Sequence, residues 1–499
     1  MKKQSVFDIQ GGASPKPLAT HFKSRQTFEI QESFSPKSKR PLRQTWWRWA
    51  ALVLVNLLIL GNFMALEGPQ PIETQIIEKL YLNEEQYSLL YSSWALPSIL
   101  SPLFGGYLID RFGCRPTLIA FSLLVTLGQF VYTYGGYALS FSWLMIGRTV
   151  YAFGTDPLNV VQMVLINKWF NGKELAFAIS LSGSTFGIGR ALNSALSPLI
   201  YEQTHNLGTP MMFQAVICLV GTAIAFLMVK WDSEDEKREL AINPDYLKRK
   251  TSTEKITMSD VKYFDRIVWL LIINFGLLFG CSFSLNAFTN NLYSTRYQFT
   301  NAEAGNIIST NFIVLAVSAA FIGKIVDKHG HRASLLTASS VFGLFGFLYF
   351  LIVPTGDKPF SSIIPQLIFG FQLGIGEAVL CPSLPLVLKE KYLGTGFGLL
   401  FVIENVLVFI FPVAAAFIKN FTAIPGVSDG YSGMLIYFFF WNCLTVLTSV
   451  LLYVEDKKHG KILETSIMVE DNLKQQMITD LDQTAINRPD EEEEITYDI

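Results

Sequence analysis

Long apolar segments alternate with short polar ones along most of this chain. A helix that crosses the hydrocarbon core of a bilayer, which is about 30 Å thick, needs roughly 20 apolar residues. The bilayer offers backbone groups no hydrogen-bond partner, so such segments are expected as helices rather than strands. Twelve segments qualify, at 47–66, 86–109, 116–137, 143–166, 174–200, 211–231, 266–290, 303–325, 333–353, 362–388, 395–418 and 431–454. The pattern predicts an all-α integral membrane protein with twelve transmembrane helices.

A long segment of mixed charge separates the sixth predicted span from the seventh and divides the twelve into two groups of six. Such a linker would let two bundles move against each other. The two ends of the chain are polar and are predicted to be disordered tails, with a regulatory or sorting role or no specific role. The predicted order is a tail (1–44), a six-helix bundle (45–231), a linker (232–265), a second six-helix bundle (266–455) and an acidic tail (456–499).

Lysine and arginine are distributed unevenly between the two sets of connecting loops, and the richer set is expected in the cytoplasm. The richer set contains Arg111, Arg115, Lys168, Lys173, Lys324, Lys328, Arg332, Lys389 and Lys391. The poorer set contains Lys79, Arg296, Lys358 and Lys419. Both termini are therefore predicted to be cytoplasmic.

Composition excludes several classes of function. Charged residues make up 16% of the chain, against about 25% in a soluble protein. The net charge of −2 argues against nucleic-acid binding. The five cysteines are scattered singly, and no histidine lies within a predicted span. We therefore expect no metal site, no cofactor and no enzymatic activity.

A short charged motif follows the second predicted span and recurs after the eighth. The first copy consists of Gly106, Asp110, Arg111, Gly113 and Arg115, and the second contains Asp327 at the equivalent place. Glycine allows close contact between helices. The aspartate can accept hydrogen bonds from N–H groups at a neighbouring helix N-terminus, where the helix dipole favours an anion. The basic residues could pair across the two halves; alternatively, the motif is a charged loop that obeys the charge bias alone.

This repeated motif resembles the signature loop of the major facilitator superfamily, which latches one access state. Arg148, near the start of the fourth predicted span, resembles a second feature of that superfamily, although it also fits a terminal arginine that reaches the membrane surface. The resemblance implies two pseudo-symmetric six-helix bundles that transport a small solute. The alternatives are a proton-coupled carrier of another organic solute, and a transporter-like receptor or assembly partner.

Further segments resemble the lysosomal dipeptide uniporter group of that superfamily. They are Glu67–Gln75, Trp169–Leu175, Asp260–Phe264 and Leu393–Gly398. The chain departs from the group at three positions, with Asp156 in place of a glutamate, Gly187 in place of an arginine and Asn290 in place of a lysine. The resemblance implies a dipeptide as solute, a glycosylated accessory membrane subunit, and a lysosomal or other endomembrane location; the plasma membrane stays open.

Four ionisable residues lie well inside predicted spans, where each costs roughly 2.5–3.5 kcal/mol unless it is paired or faces a polar cavity. They are Asp156, Arg190, Glu377 and Glu404. We expect them to converge near the midplane as a binding site for a zwitterionic solute, with Arg190 as the countercharge; the alternative is two structural ion pairs. Five asparagines would line the same cavity or join helices, namely Asn56, Asn62, Asn286, Asn290 and Asn291.

Overall fold

The computed structural model describes most of the chain, including all the predicted site residues. The described ranges are 40–66, 68–82, 84–170, 174–243, 261–262, 264–352, 360–424 and 428–466. Most of both predicted tails and the centre of the predicted linker lie outside them.

Thirteen α-helices make up nearly all of the described chain, and twelve of them are long. In chain order they are α1 (Trp47–Leu66), α2 (Glu73–Leu80), α3 (Glu84–Phe112), α4 (Cys114–Tyr137), α5 (Phe141–Phe170), α6 (Leu175–Thr204), α7 (Gly208–Ile242), α8 (Arg266–Tyr297), α9 (Asn301–His329), α10 (Arg332–Ile352), α11 (Ile364–Val387), α12 (Leu393–Thr422) and α13 (Tyr431–Lys458). A two-stranded hairpin, β1 (Ala423–Ile424) and β2 (Ser428–Asp429), joins α12 to α13. The prediction of an all-α membrane protein with twelve long helices is confirmed.

Ten of the twelve long helices are apolar and long enough to cross a membrane on composition alone; the other two are α3 and α5. Helix α5 falls short because it carries buried polar side chains, among them Arg148, Asp156 and Gln162. Such residues face the interior of a helical bundle rather than lipid. Its low hydropathy therefore follows from its place in the fold.

Paired glycines bring α4 and α5 into close contact. A Cβ at Gly128 would overlap the backbone of Tyr151, and a Cβ at Gly147 would overlap the backbone of Tyr132. Small residues drive this kind of packing in membranes, because helices there associate through van der Waals contact rather than through the hydrophobic effect. Close contact of α4 with α5 holds Arg148 and Asp156 in place within the first bundle.

The described parts of the predicted first tail and linker bind each other. Helix α7 continues to Ile242, well beyond the predicted span and into the predicted linker. Its extension carries Asp235 and Glu239, both of which pair with Arg43 from the end of the predicted first tail. Helix α7 therefore continues across the predicted boundary at 232, because charge density marks a membrane exit and not the end of a helix.

The first residues of the predicted acidic tail are also ordered. Leu463 is buried, and the Glu464 carboxylate accepts a 2.8 Å hydrogen bond from the backbone N–H of Ser334 in the first turn of α10. The Ser466 hydroxyl donates to the backbone carbonyl of Asp327 at 3.1 Å. Residues 459–466 thus pack on the end of the second bundle.

Replacing Gly147 with leucine should destabilise the protein, because the added side chain has to displace the backbone of Tyr132. Overpacking of this kind costs about 1–3 kcal/mol. Thermal unfolding of the purified protein in detergent, monitored by size-exclusion chromatography after heating, would show the loss of stability as a lower melting temperature.

Gly305 offers the matched control, because no described atom lies within 4 Å of a Cβ at that position in α9. We expect Gly305→Leu to leave the melting temperature unchanged or slightly higher, since leucine is the better helix former. Equal losses in the two variants would contradict the close contact between α4 and α5.

Candidate functional site

Asp110, near the end of α3, joins the first bundle to the second. Its carboxylate accepts hydrogen bonds from the backbone N–H of Gly394 at 2.8 Å and of Thr395 at 2.6 Å, and from the Thr395 hydroxyl at 2.6 Å. These N–H groups belong to the first turn of α12, where a helix has no internal acceptors for them. The aspartate therefore binds the positive end of a helix in the opposite bundle.

Asp327, near the end of α9, makes the pseudo-symmetric contact. Its carboxylate accepts from the backbone N–H of Ala176 and of Phe177, both at 2.9 Å, in the first turn of α6. We call the end of the bundle that carries Asp110 and Asp327 the latch end. Each copy of the sequence motif thus binds a helix N-terminus of the opposite bundle.

Glycines let the helices of these contacts approach closely. A Cβ at Gly106 would overlap the backbone carbonyl of Gly394, and a Cβ at Gly323 would lie 2.6 Å from the hydroxyl oxygen of Ser180. Gly113 connects α3 to α4 with a φ of 87°, a conformation that side chains with a Cβ rarely adopt. The spacing of the motif is therefore what a tight turn and a close helix contact require.

The basic residues of the first motif do not join the two halves, and that expectation was wrong. Arg115 pairs with Asp232 at 2.6 Å and with Glu236 at 2.5 Å, both on the extension of α7 in its own bundle. Arg111 is exposed and donates to the Tyr107 hydroxyl one turn earlier. The acidic partners of Arg115 lie on the part of α7 that extends beyond its apolar segment, so the apolar pattern alone did not predict this pairing.

Arg148 is buried, with 1% of its surface exposed, so the interpretation as a terminal arginine at the membrane surface was wrong. Its guanidinium donates to the carbonyls of Ala65 at 3.0 Å and Leu66 at 3.1 Å. These are the last carbonyls of α1, which have no partner within the helix. The arginine therefore caps the negative end of α1 from α5.

Three carboxylates, two of them buried and the third, that of Glu377, half-buried, lie near one another between the two bundles. Asp156 (α5) and Glu377 (α11) are the electrostatic neighbours of Glu404 (α12). The side chain of Glu377 also contacts α6 of the first bundle, since a Cβ at Gly183 would lie 3.1 Å from its carboxyl carbon. The structure thus brings three of the four predicted charges together.

The fourth charge, Arg190, lies in an aromatic environment. Its guanidinium carbon is 4.4 Å from the ring centroid of Phe312 and 5.2 Å from that of Phe186. Arg190 is seven positions beyond Gly183 on α6, which is about 10 Å along a helix axis. It therefore lies about two helical turns farther from the latch end than Gly183, which Glu377 contacts.

Four of the five asparagines form two pairs, and Asn291 is exposed. Asn56 and Asn62 are buried in hydrogen-bond networks within the first bundle, where Asn56 accepts from Thr185 and Asn62 from Thr155. They join helices rather than line a cavity. Asn286 Nδ2 and Asn290 Oδ1 on α8 are buried and have no hydrogen-bond partner among the described residues.

Sequence reasoning missed Asn405 on α12. Its Nδ2 donates to the Asp156 carboxylate at 3.0 Å and to the carbonyl of Ser98 on α3 at 2.6 Å. The signal was present, because Glu404 and Asn405 form a polar pair in an otherwise apolar segment. Attention to ionisable residues alone passed over the amide.

Comparisons with known proteins agree with this architecture. Residues 52–412 match the family described as Major Facilitator Superfamily. The lysosomal dipeptide transporter MFSD1 of Homo sapiens is 26% identical over 438 residues, which cover 86% of this chain and 90% of that protein. The protein of the same name from Danio rerio is 26% identical over 420 residues, covering 82% and 87%.

More distant similar proteins are named for other solutes. The riboflavin transporter RibZ of Clostridioides difficile is 23% identical over 423 residues, covering 75% of this chain and 88% of that protein. The solved structure of the proton:xylose symporter XylE superposes with a TM-score of 0.62 at 12% identity, over 81% of this chain and 95% of that one.

Replacing Asp110 with alanine should separate α3 from α12 at the latch end. Three hydrogen bonds to a charged group are lost, each worth about 1.5–3 kcal/mol net. Spin labels would be attached to cysteines introduced at the exposed positions Phe112 and Glu390 in a protein without its native cysteines. Pulsed electron paramagnetic resonance would report the change as a longer distance between the two labels.

Arg111→Ala is the control, because Arg111 is the next residue on the same helix end and is exposed. We expect it to leave the label distance unchanged. A distance distribution that is identical in wild type and Asp110→Ala would show that the latch contact does not hold the two bundles together.

Proposed function

Since the chain belongs to the major facilitator superfamily, and is thus a multi-pass membrane transporter rather than an enzyme, we propose that it carries a small zwitterionic solute, a dipeptide or an amino-acid-like molecule, by alternating access. The observation that carries this proposal is the group of three carboxylates, Asp156, Glu377 and Glu404, contributed by both bundles. Solute sites of such transporters lie near the midplane at the interface of the repeats. A positively charged amino group is the complement of this carboxylate group.

Arg190 supports the zwitterionic character of the solute. A guanidinium binds a carboxylate through two parallel hydrogen bonds, and Arg190 lies two turns from the level of Glu377 along α6. A dipeptide has its amino and carboxylate groups several ångströms apart, so it suits a site with charges at two levels. In this proposal the amides of Asn286 and Asn290 bind polar groups of the solute.

The two latch contacts support the alternating-access part of the proposal. In the present conformation the bundles are bonded to each other at the latch end by Asp110 and Asp327. Opening that end requires both carboxylates to leave the helix N-termini. Gly106 and Gly113 shape the latch, Arg111 and Arg115 belong to the same loop, and Arg148 fixes the end of α1.

The name of the MFSD1 relatives supports a dipeptide as solute and a lysosomal or other endomembrane location. Asp156, where the dipeptide group has a glutamate, retains the negative charge for an amino group. Asn290, where the group has a lysine, lacks a positive charge. Arg190, three positions beyond Gly187, would supply it from the same helix face.

Proton-coupled transport of another organic solute is the second candidate. Carboxylates inside membrane-spanning segments form the proton relays of many pumps and transporters. Three of them lie together here. Uptake measured with and without a pH gradient would separate the two candidates.

We also propose a glycosylated accessory membrane subunit as partner. The sequon at Asn420 ends α12, and the Thr422 hydroxyl within it donates to the backbone carbonyl of Ile418 in the same helix end. A sequon so close to the membrane is a poor glycan acceptor, so a partner would have to supply the glycan. Affinity purification from native membranes should recover a glycosylated membrane protein at near-equal amounts; its absence would remove this part of the proposal.

Replacing Asp156 with asparagine should abolish most uptake of a dipeptide such as alanylalanine. The variant keeps the shape of the side chain but loses the negative charge, and a hydrogen bond to a charged group is worth about 1.5–3 kcal/mol. We expect uptake by proteoliposomes to fall by at least about 10-fold at equal protein content. N-acetylated alanylalanine, which has no ammonium group, should compete poorly against wild type.

Asp265→Asn removes the same charge outside the site, at an exposed position that precedes α8, and should transport normally. Unchanged uptake in Asp156→Asn, in rate and in pH dependence, would overturn the role of Asp156. An absence of any dipeptide response in the wild type would overturn the dipeptide as solute.

A further inference from the structure

Asn405 of the second bundle forms a hydrogen bond with Asp156 of the first. Its Nδ2 carries two hydrogens, and both are donated to the first bundle, to the Asp156 carboxylate and to the Ser98 carbonyl. Asp156 is 7% exposed and Ser98 is fully buried. The amide of the second bundle is therefore inserted between α3 and α5 of the first.

The backbone of α3 is prepared for this amide. Pro102 lies inside α3, four residues after Ser98. Because proline has no N–H, the carbonyl of Ser98 loses its normal helical donor. Asn405 supplies the replacement at 2.6 Å. The freed carbonyl thus fixes the amide in the orientation that also donates to Asp156.

The same helix joins this contact to the latch. Asn405 and Thr395, which binds Asp110, both belong to α12, and ten residues of helix span about 15 Å. Glu404 is the adjacent residue, so any displacement of Asn405 moves one of the three carboxylates as well. A change in what Asp156 binds is therefore transmitted along α12 to the latch end.

We propose that Asn405 is a positioning residue that couples the occupancy of Asp156 to the closure of the two bundles. This inference rests on the proposed function, in which Asp156 binds the amino group of the solute. Asn405 holds Asp156 while the bundles are closed at the latch end. An ammonium adds the attraction of a full positive charge to its hydrogen bond with the carboxylate, which the neutral amide of Asn405 does not supply, so the solute replaces Asn405 and releases α12.

Asn405→Leu tests this coupling, because leucine has nearly the same volume and donates no hydrogen bond; Asn405→Ala is the second variant should leucine be poorly folded. With its competitor removed, alanylalanine should bind about 10-fold more tightly, while the maximal uptake rate falls because closure is weakened. N-acetylated alanylalanine should show no gain in affinity. If Asn405 only stabilised the fold, its replacement would not improve the binding of alanylalanine selectively over that of N-acetylated alanylalanine.

The dependence on Asp156 is the second measurement. In an Asp156→Ala background, Asn405→Leu should add no further change to the label distance between positions 112 and 390, although it lengthens that distance when Asp156 is present. Val413→Ala, at an exposed position on the same helix, serves as control and should change neither distance nor uptake.

Additive effects of Asn405→Leu and Asp156→Ala on the label distance would overturn the proposal, because Asn405 would then act through Ser98 alone. Wild-type protein that binds no dipeptide would instead overturn the proposed function. The label distances need no solute, so they decide the coupling between Asn405 and Asp156 in either case.

Discussion

The rest of the structure depends on two contacts in which an aspartate of one bundle binds a helix N-terminus of the other bundle. The first N–H groups of α6 and α12 have no acceptor within their own helices. Asp327 and Asp110 supply that acceptor from the opposite bundle. Each carboxylate is thereby satisfied by groups that would be costly to leave unpaired in an apolar environment.

Apart from the two latch aspartates, charge in the described part of this protein is satisfied in two different ways. Structural charges have strong partners in their own bundle, as Arg148 has the carbonyls of α1 and Arg115 has Asp232. The carboxylates between the bundles have weaker interaction partners. Asp156 is bound by an amide, and Glu404 has other carboxylates as neighbours. Retaining such a group inside a membrane protein is expensive, and the proposed function gives these residues a role that stability alone does not.

Helices α6 and α12 connect these two kinds of contact. Each begins at a latch aspartate and continues to the level of the carboxylates, where α6 contributes Gly183 and α12 contributes Glu404. A helix is stiff over this length, so a displacement at one end reaches the other. Gly106 and Gly323 keep the partner helices close enough for the latch bonds to form. The architecture thus joins a polar site in the interior to a contact at the end of the bundle.

Much of the fold follows from the sequence alone, because the length and hydropathy of a segment are local properties. The number and order of the long helices, the two groups of six and the repeated motif were all predicted from such properties. Single residues also revealed their chemistry, since a carboxylate inside an apolar segment is conspicuous wherever it lies. The ends of α7 and the order of residues 459–466 were missed, because polar residues that pair with each other look like solvated loops.

Which groups meet was decided only by the tertiary structure. Asp110 and Gly394 are 284 residues apart, and Asp156 and Asn405 are 249 apart. No periodicity links such pairs, because their approach depends on how twelve helices pack and on glycines that let two particular helices touch. The sequence determined that carboxylates would be buried. Only the packing decided that three of them would lie together and that Arg190 would lie against two aromatic rings. The packing also decided that an asparagine would bind both Asp156 and a backbone carbonyl freed by a proline.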